Sequence, residues 1–408
     1  NTFTPPAQAI FTRITASNDG HGLSSPNAQS IIQDSFGNIW IGNYRGGIDF
    51  ISHTQPLFNT ITYKTEKYGH NCNKQVWGLW ADNNRQIWLG GEGELGIYKE
   101  GKEIEIIPLN QCRLNKQTHI SVIHQDKHGD LWLGTHKHGV AIYHPDTKRI
   151  TCIGDDKDGS LDILCFYEDT DGKIWIGTQS GLYSAYNREL TQEDKINRLL
   201  TNKGIRSILK DKNGKLWIGA KGLFLFDDKG QLFQELTTEQ SFPIRSVNYL
   251  MEDSRKRIWV GTNDGILVFR DASHLEDYSH YGTKEGLQNT NVRAIQEDHD
   301  GTIWLSTNAG ISRLDEKTKT FYNYNHYDGV PMGDFMDGST CISTDGILYF
   351  GSQGGACYFT PGEVNSIRKP APVTITQFSI YDKQTESKDT EHPLPLTDAN
   401  IQLPYNQN

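Results

Sequence analysis

The most regular feature of this chain is an alternation of short apolar runs and polar turns that repeats along most of its length. Each unit starts with an apolar stretch such as residues 120–123, passes through a polar turn, and reaches an apolar strand with an aromatic residue inside it. A period of 42 to 48 residues between these aromatic residues indicates an array of supersecondary units. The aromatic residues are Trp40, Trp88, Trp132, Trp175, Trp217, Trp259, Trp304 and, in a degenerate copy, Tyr349.

The turn before each aromatic strand has a constant chemistry. An aspartate lies six residues before the tryptophan in seven units, whereas the last unit has Ser343 there. A glycine usually follows three residues after it. Aspartate bonds nearby backbone N–H groups and glycine adopts positive φ at no steric cost, so the pattern predicts a tight hairpin and a structural role for these residues. The aspartates are Asp34, Asp82, Asp126, Asp169, Asp211, Asp253 and Asp298.

Two further strands complete each unit. A glycine opens the third strand, as at residues 265–269, and a more polar fourth strand follows, as at residues 58–63. Four short strands per unit predict an all-β fold, a β-propeller of four-stranded blades. Eight copies of the motif leave two arrangements open: eight blades, or seven blades plus one extra unit. Residues 11–14 are the strand expected to complete the last blade and close the ring.

The period stops after residue 361, which predicts a propeller over residues 1–361. Residues 362–408 then form a linker with Pro370 and Pro372 and a β-like run at 373–380. This tail is too short for a domain and is interpreted as the truncated start of a β-sandwich.

Composition excludes several functions. A net charge of −10 and a pI of about 5.8 argue against nucleic-acid binding by these residues. No apolar run approaches the roughly 20 residues needed to span a bilayer. The chain starts at Asn without a visible signal peptide and is therefore expected to be a processed or excised piece. A Cys72–Cys112 disulfide is left open.

No sequence motif predicts a catalytic residue, a cofactor or a metal. The chain has no His-Glu-x-x-His, Gly-x-Ser-x-Gly or phosphate-loop pattern. His136 and His138 have no visible third ligand and are separated by a lysine, so a polar hairpin tip is the better interpretation.

Function is expected where the repeats differ, in the loops that surround the central depression of a propeller. A sugar site needs aromatic faces for C–H surfaces and forked polar groups for hydroxyl or acidic groups. Basic residues predominate at these positions, which favours an acidic or sulfated oligosaccharide. The candidate ligand-binding residues are Tyr44, Arg45, Trp77, His136, Lys137, His138, Arg206, Arg245 and Arg293.

The repeat resembles the two-component regulator propeller repeat, for example in Asp126-x-x-Gly129-x-Leu131-Trp132-Leu133-Gly134. The run through Phe359-Thr360-Pro361 to Pro372-Val373 is similar to the junction with the immunoglobulin-like domain that follows such propellers. The resemblance implies the periplasmic sensor region of an inner-membrane hybrid two-component system, of the kind found in gut Bacteroidetes. It also implies an oligosaccharide ligand and signalling to the rest of a histidine kinase.

Three functions follow from these observations. The leading expectation is a non-enzymatic sensor module that binds an oligosaccharide and shifts an equilibrium between propeller or homodimer arrangements. One alternative is a propeller polysaccharide lyase or glycosidase. The other alternative is a dimerisation or spacer scaffold whose ligand binds elsewhere in the parent protein.

Overall fold

A computed structural model describes residue 15, residues 23–366 with short gaps, and residues 377–381 and 388–393. The gaps are residues 36, 52–55, 63, 68–69, 74, 113, 154–160, 187, 198, 201–202, 228 and 241. The chain divides into two compact units, residues 1–364 and residues 365–408. Of the second unit only residues 365–366 and one hairpin are described, so the start of a β-sandwich there remains a prediction. Pro370, Pro372, residues 11–14 and the Cys72 side chain of the suggested disulfide lie outside the described residues.

Nearly all of the described secondary structure is β-strand. The strands are, in chain order, β1 (Ala28–Gln33), β2 (Ile39–Asn43), β3 (Gly47–Ile51), β4 (Asn59–Ile61), β5 (Lys64–Lys67), β6 (His70–Asn73), β7 (Gly78–Ala81), β8 (Ile87–Gly90), β9 (Glu94–Tyr98), β10 (Glu105–Pro108), β11 (Ile120–Gln125), β12 (Leu131–Thr135), β13 (Val140–His144), β14 (Arg149–Ile153), β15 (Ile163–Glu168), β16 (Ile174–Thr178), β17 (Leu182–Tyr186), β18 (Glu189–Gln192), β19 (Ser207–Lys210), β20 (Leu216–Ala220), β21 (Gly222–Phe226), β22 (Leu232–Leu236), β23 (Val247–Glu252), β24 (Ile258–Thr262), β25 (Gly265–Phe269), β26 (Tyr278–Tyr281), β27 (Val292–Glu297), β28 (Ile303–Thr307), β29 (Gly310–Asp315), β30 (Thr320–Tyr324), β31 (Phe335–Ile342), β32 (Leu348–Ser352), β33 (Gly355–Phe359), β34 (Gln377–Tyr381) and β35 (Lys388–Pro393). The helical elements are α1 (Asp194–Asn197), α2 (Pro361–Ser366) and 3-10 turns at Thr238–Gln240, Thr283–Glu285 and His326–Asp328.

Seven four-stranded antiparallel sheets form the blades of a closed ring. Blades 1 to 6 are β7–β10, β11–β14, β15–β18, β19–β22, β23–β26 and β27–β30, and blade 7 consists of β31, β32, β33 and β4. The inner strand of each blade neighbours that of the next, and β31 also neighbours β7. The predicted all-β propeller of four-stranded blades is confirmed.

The ring is closed by a strand from the beginning of the described chain. Strand β4 pairs with β33 through Ile61 opposite Ala356, Thr60 opposite Cys357 and Asn59 opposite Tyr358. Residues 58–63 were expected to be the fourth strand of the first unit, and this expectation is wrong. Because the outer edge of β33 lacks a strand of its own repeat, β4 satisfies its backbone groups and ties the two ends of the ring together.

The core of the ring consists of seven buried apolar clusters, each at a seam between two blades. At the seam between blades 4 and 5, the rings of Trp217 and Phe269 have centroids 5.9 Å apart. The seam between blades 7 and 1 contains Ile61 of β4 together with Tyr349 and Val76. Seven seams correspond to seven blades, which is the second arrangement that the sequence leaves open.

The first repeat forms a separate three-stranded sheet, β1–β2–β3, whose strands pair with none of the seven blades. Its motif positions are exposed: Ile31 is 69 % exposed, Ile48 70 % and Trp40 40 %, whereas the equivalent Trp217 of blade 4 is fully buried. The same pattern of apolar positions is therefore buried only where neighbouring blades cover both faces of the sheet.

One carboxylate organises the turn and the tryptophan of each repeat. In all seven repeats with an aspartate, the indole N–H donates to aspartate Oδ2 at 2.9 to 3.3 Å. The Oδ1 atom accepts the backbone N–H of the fourth residue after the aspartate. In the last repeat, Ser343 Oγ accepts the backbone N–H of Ile347 at 3.1 Å, and Tyr349 replaces the indole. The aspartate thus holds both the hairpin and the seam residue.

We expect the same substitution to have unequal costs at two positions of the repeat. Trp217→Ala removes a fully buried side chain from a seam and should lower the free energy of unfolding by about 3–5 kcal/mol. Trp40→Ala, the matched control on the separate sheet, should cost well under half of that because its indole is partly exposed. Urea denaturation followed by tryptophan fluorescence measures both, and equal losses would contradict the placement of the first repeat outside the ring.

Candidate functional site

The seven inner strands surround a central channel that contains a cavity of about 200 Å³. They begin at residues 78, 120, 163, 207, 247, 292 and 335. We call the face where they begin the mouth face. The loop between the second and third strands of each blade lies on this face, because the start of the inner strand pairs with the end of the second strand, as Ile120 does with Thr135. The varied loop tips of the ring therefore surround the channel mouth, as the sequence predicts.

The inner strands carry β-bulges at the level of the channel mouth. In blades 2, 3, 5 and 6 the inner strand has one extra residue at this level: Ser121, Leu164, Asn248 and Arg293. Trp77 of blade 1 and Arg206 of blade 4 take the equivalent place and donate their backbone N–H groups to Gly90 and Gly219 at 2.9 Å. Bulges re-aim side chains. Across blades 1 to 6 this position holds Trp, Ser, Leu, Arg, Asn and Arg, so its chemistry varies around the ring.

Blade 7 has a longer bulge than the other blades. Phe335 pairs with Ser352, but the next paired residue, Thr340, lies opposite Phe350. Three residues of β31 are therefore extra, whereas the inner strands of blades 2, 3, 5 and 6 have one each. The extra segment contains Asp337 and Gly338, which line the channel, and Gly338 has a φ of +67° that a side chain would disfavour. The inner strand of blade 7 thus projects toward the axis of the ring.

Asp337 is bound by two arginines from different blades. Arg206 Nη1 donates to Asp337 Oδ2 at 2.9 Å, and Arg293 Nη1 donates to Asp337 Oδ1 at 2.7 Å. Arg293 Nε also donates to Asn308 Oδ1 at 2.7 Å. Because Arg206 belongs to blade 4 and Asp337 to blade 7, this ion-pair bridge crosses the channel mouth. All three charged side chains remain partly exposed.

An aromatic and histidine wall lies on the opposite side of the mouth, in blades 1 to 3. The rings of Trp77 and His119 meet edge to face with centroids 6.4 Å apart, and so do those of His119 and His136. His136 Nδ1 lies 3.0 Å from Asp162 Oδ1, which also accepts the backbone N–H of Lys137 at 2.7 Å. The Trp77 side chain is 37 % exposed, so part of its surface is open to a ligand.

The candidate residues from the sequence separate into two groups. Tyr44 and Arg45 belong to the three-stranded sheet of the first repeat, where the Arg45 guanidinium lies 5.2 Å from the Tyr44 ring centroid. They are not part of the ring, because β4 completes blade 7 instead of their own sheet. The residues that lie on the mouth face are Trp77, His136, Lys137, His138, Arg206, Arg245 and Arg293.

The side chains of two of these residues belong to neither the ion-pair bridge nor the aromatic and histidine wall. The His138 Nδ1 atom is 3.0 Å from the carbonyl oxygen of His136, at the exposed tip of its loop. Arg245 is exposed and lies three residues before the bulge residue Asn248, at the rim of blade 5. The structure therefore divides the mouth face into an inner set of side chains and an outer rim.

Sequence reasoning missed the two acids that organise the site. Asp162 lies directly before β15, at the position that His119 occupies before β11, and Asp337 lies in the long bulge of β31. The first could be found by aligning the starts of the inner strands, but no repeat pattern indicates the second. These carboxylates bind the arginines and His136. The excess of positive charge that the sequence predicts for the mouth face is therefore largely neutralised.

The channel also contains partly buried ionisable groups away from its mouth. His124 Nε2 lies 3.1 Å from Glu168 Oε2, and the Trp80 ring meets the imidazole edge to face at 5.0 Å. Burial lowers the pKa of His124, and the bond to Glu168 opposes this only in part. Burial also raises the pKa of Cys165 to about 12, so its thiol is unreactive. In the part of the chain that the structure describes, no group of three or more His, Cys, Asp or Glu residues is placed to hold a metal ion.

Comparison with known proteins identifies the repeat. The family model described as "Two component regulator propeller" matches five segments, each containing a hairpin and its tryptophan strand: residues 22–45, 159–180, 199–222, 241–264 and 286–309. Five repeats of this chain are therefore two-component regulator propeller repeats. Each of the five contains an aspartate and a tryptophan joined by the hydrogen bond described above.

Two relatives extend this assignment. The extracellular domain assigned to the hybrid two component system BT3049 of B. thetaiotaomicron is 34 % identical, with a TM-score of 0.77 over 94 % of this chain and 52 % of that chain. A protein named histidine kinase P4 from Formosa agariphila is 26 % identical over 64 % of this chain, which spans only 17 % of that protein. The chain spans about half the length of the BT3049 domain. These matches support a place for the propeller in the extracellular part of a two-component sensor.

A third comparison concerns the fold alone. Virginiamycin B lyase from Staphylococcus aureus has a TM-score of 0.57 over 74 % of this chain, at 12 % identity. Among the described residues, the helices are all too short or too polar to cross a membrane.

We expect His124 to make the stability of the ring depend on pH. The unfolded chain takes up a proton at His124 below about pH 6.5, whereas the lowered pKa keeps the imidazole of the folded ring neutral. The free energy of unfolding should therefore fall as the pH drops below about 6.5. His124→Gln should flatten this dependence in urea denaturation between pH 7.5 and 5.5.

The control for this experiment is His128→Gln, which changes an exposed histidine on the same hairpin. It should leave the slope unchanged. An unaltered slope in His124→Gln would contradict the role given to the buried imidazole.

Proposed function

We propose that the mouth face of the ring binds an oligosaccharide, and that this propeller is the ligand-sensing part of a periplasmic two-component sensor. The observation that carries the proposal is the channel mouth, where side chains of different types from several blades meet. Trp77, Arg206 and Arg293 lie there together, although their blades share the same scaffold. An aromatic face beside forked hydrogen-bond donors is the composition that sugar rings require.

The family and the extracellular relatives support the sensing role. A sensor of this kind passes its signal to a transmembrane histidine kinase in the inner membrane. The following β-sandwich predicted after residue 361 would carry the signal, and ligand binding would shift an equilibrium between propeller or homodimer arrangements. In this proposal the propeller needs no cofactor and contacts no nucleic acid.

A non-enzymatic role is favoured over a lyase or glycosidase by the bonding of the mouth-face acids. Asp337 is engaged by two arginines and Asp162 by His136 and a backbone N–H group. A glycosidase needs two carboxyl groups that are available to the scissile bond as acid and as base or nucleophile. The likeness to virginiamycin B lyase concerns the fold and carries no argument for lyase chemistry.

We expect Trp77→Ala to weaken oligosaccharide binding about tenfold, because an aromatic face contributes on the order of 1 kcal/mol beyond its buried area. Isothermal titration of the purified chain with a glycan oligosaccharide library identifies the ligand and measures the change. Tyr44→Ala is the matched control, since Tyr44 is an exposed aromatic residue on the separate sheet. It should leave the affinity unchanged.

Two results would overturn the proposal. Product release from a glycan incubated with the chain would favour the enzyme. Binding by the complete extracellular region but not by this chain would favour the spacer scaffold.

A further inference from the structure

The strongest unexplained feature of the ring is the three-residue bulge that carries Asp337 to the channel axis. The inner-strand bulges of blades 2, 3, 5 and 6 have one extra residue each. Blade 7 instead extends its inner strand so that one carboxylate reaches the guanidinium groups of blades 4 and 6. A backbone irregularity that ends in a salt bridge across a channel points to a built anion site.

We infer that Arg206 and Arg293 form a site for a carboxylate or sulfate group, and that Asp337 occupies this site when no ligand is bound. An acidic sugar would displace Asp337 and take over both arginines. That the anion is carried by a sugar rests on the proposed function, whereas the anion site itself rests on the geometry alone.

The two arginines can bind an external anion in place of Asp337. Each guanidinium has five N–H donors, and the bridge to Asp337 uses one Nη1 donor from each. Arg293 is also held by Asn308, so its guanidinium stays oriented when Asp337 leaves. Arg206 is the more exposed of the two and can follow the group that enters. Forked donors from two sides match the oxygens of a carboxylate or sulfate.

The Asp337 side chain is placed so that it can leave the two arginines. Its side chain is about one-third exposed, and residues 336–339 pair with no residue of β32. The segment can therefore shift without breaking the strand ladder of blade 7. Ser339 lies two residues after Asp337, and its buried hydroxyl has no hydrogen-bond partner in the described part of the chain. The bulge in its observed position therefore leaves one polar group without a hydrogen bond.

Displacement has a consequence that can be measured. An internal carboxylate competes with the external anion, so the apparent affinity is reduced by the fraction of molecules in which the arginines are occupied. Removing the charge of Asp337 should raise the affinity for an anion, whereas removing an arginine should abolish it. A purely structural ion pair would show no gain when its acid is removed.

The test uses inorganic sulfate and sodium glucuronate as probes on the purified chain. At equal ionic strength in chloride, Asp337→Asn should bind each probe about tenfold more tightly than the parent chain in isothermal titration. The double variant Asp337→Asn/Arg206→Gln should lose this gain. Glucose, which has no charge, should show no difference between the parent chain and Asp337→Asn.

The matched control is Asp334→Asn, which removes the same charge from the start of the same segment but from a side chain that forms no ion pair with either arginine in the described structure. Equal gains in both variants would indicate net charge alone and would overturn the inference. Unchanged or weaker binding by Asp337→Asn would also overturn it. If Asp337→Asn does not fold, Arg206→Gln in the parent chain decides, because retained sulfate binding would then contradict the site.

The anion site and the proposed function can be tested separately. Sulfate binding that responds to Asp337 in a chain that binds no oligosaccharide would sustain the anion site and overturn the sensor proposal. Oligosaccharide binding that depends on Trp77 but not on Asp337 or Arg206 would sustain the sensor proposal and overturn the anion site.

Discussion

The structure depends on one repeated interaction, the hydrogen bond between a tryptophan indole and the aspartate six residues before it. The carboxylate accepts the indole N–H with one oxygen and a backbone N–H of the hairpin with the other, as Asp211 does for Trp217 and Lys215. It thereby links the turn, which is local, to the seam, which joins two blades. The indole can be buried without leaving its N–H unsatisfied, a loss that would otherwise cost about 1–3 kcal/mol.

This constraint gives the recurrent positions of the repeat a structural role. Asp, Gly and Trp are used for the hairpin and the seam, whereas a different residue, near the start of the inner strand, varies between blades. Equivalent positions there hold Trp77 in blade 1 and Arg293 in blade 6. A uniform frame with one variable position per blade lets the mouth acquire a ligand site at little cost to stability.

The long bulge of blade 7 is the main departure from this frame. It brings Asp337 to Arg206 and Arg293 from across the channel, so that positive groups which appear unopposed in the sequence are paired in the fold. The charge of a propeller face therefore cannot be summed from loop residues alone. Opposite charges on distant blades meet at the axis because the inner strands converge there.

The sequence by itself determined the strand pattern, the hairpins, the propeller class and the loops that surround the channel mouth, because these follow from local turn chemistry and from a fixed period. Tertiary structure decided the rest. Whether residues 59–61 close blade 7 or complete the first unit depends on which edge strand lacks a partner, and that is known only when the ring is complete. Its closure set the number of blades at seven and removed Tyr44 and Arg45 from the mouth. It also brought Asp337 to its arginines, because convergence at the axis joins residues that no sequence spacing connects.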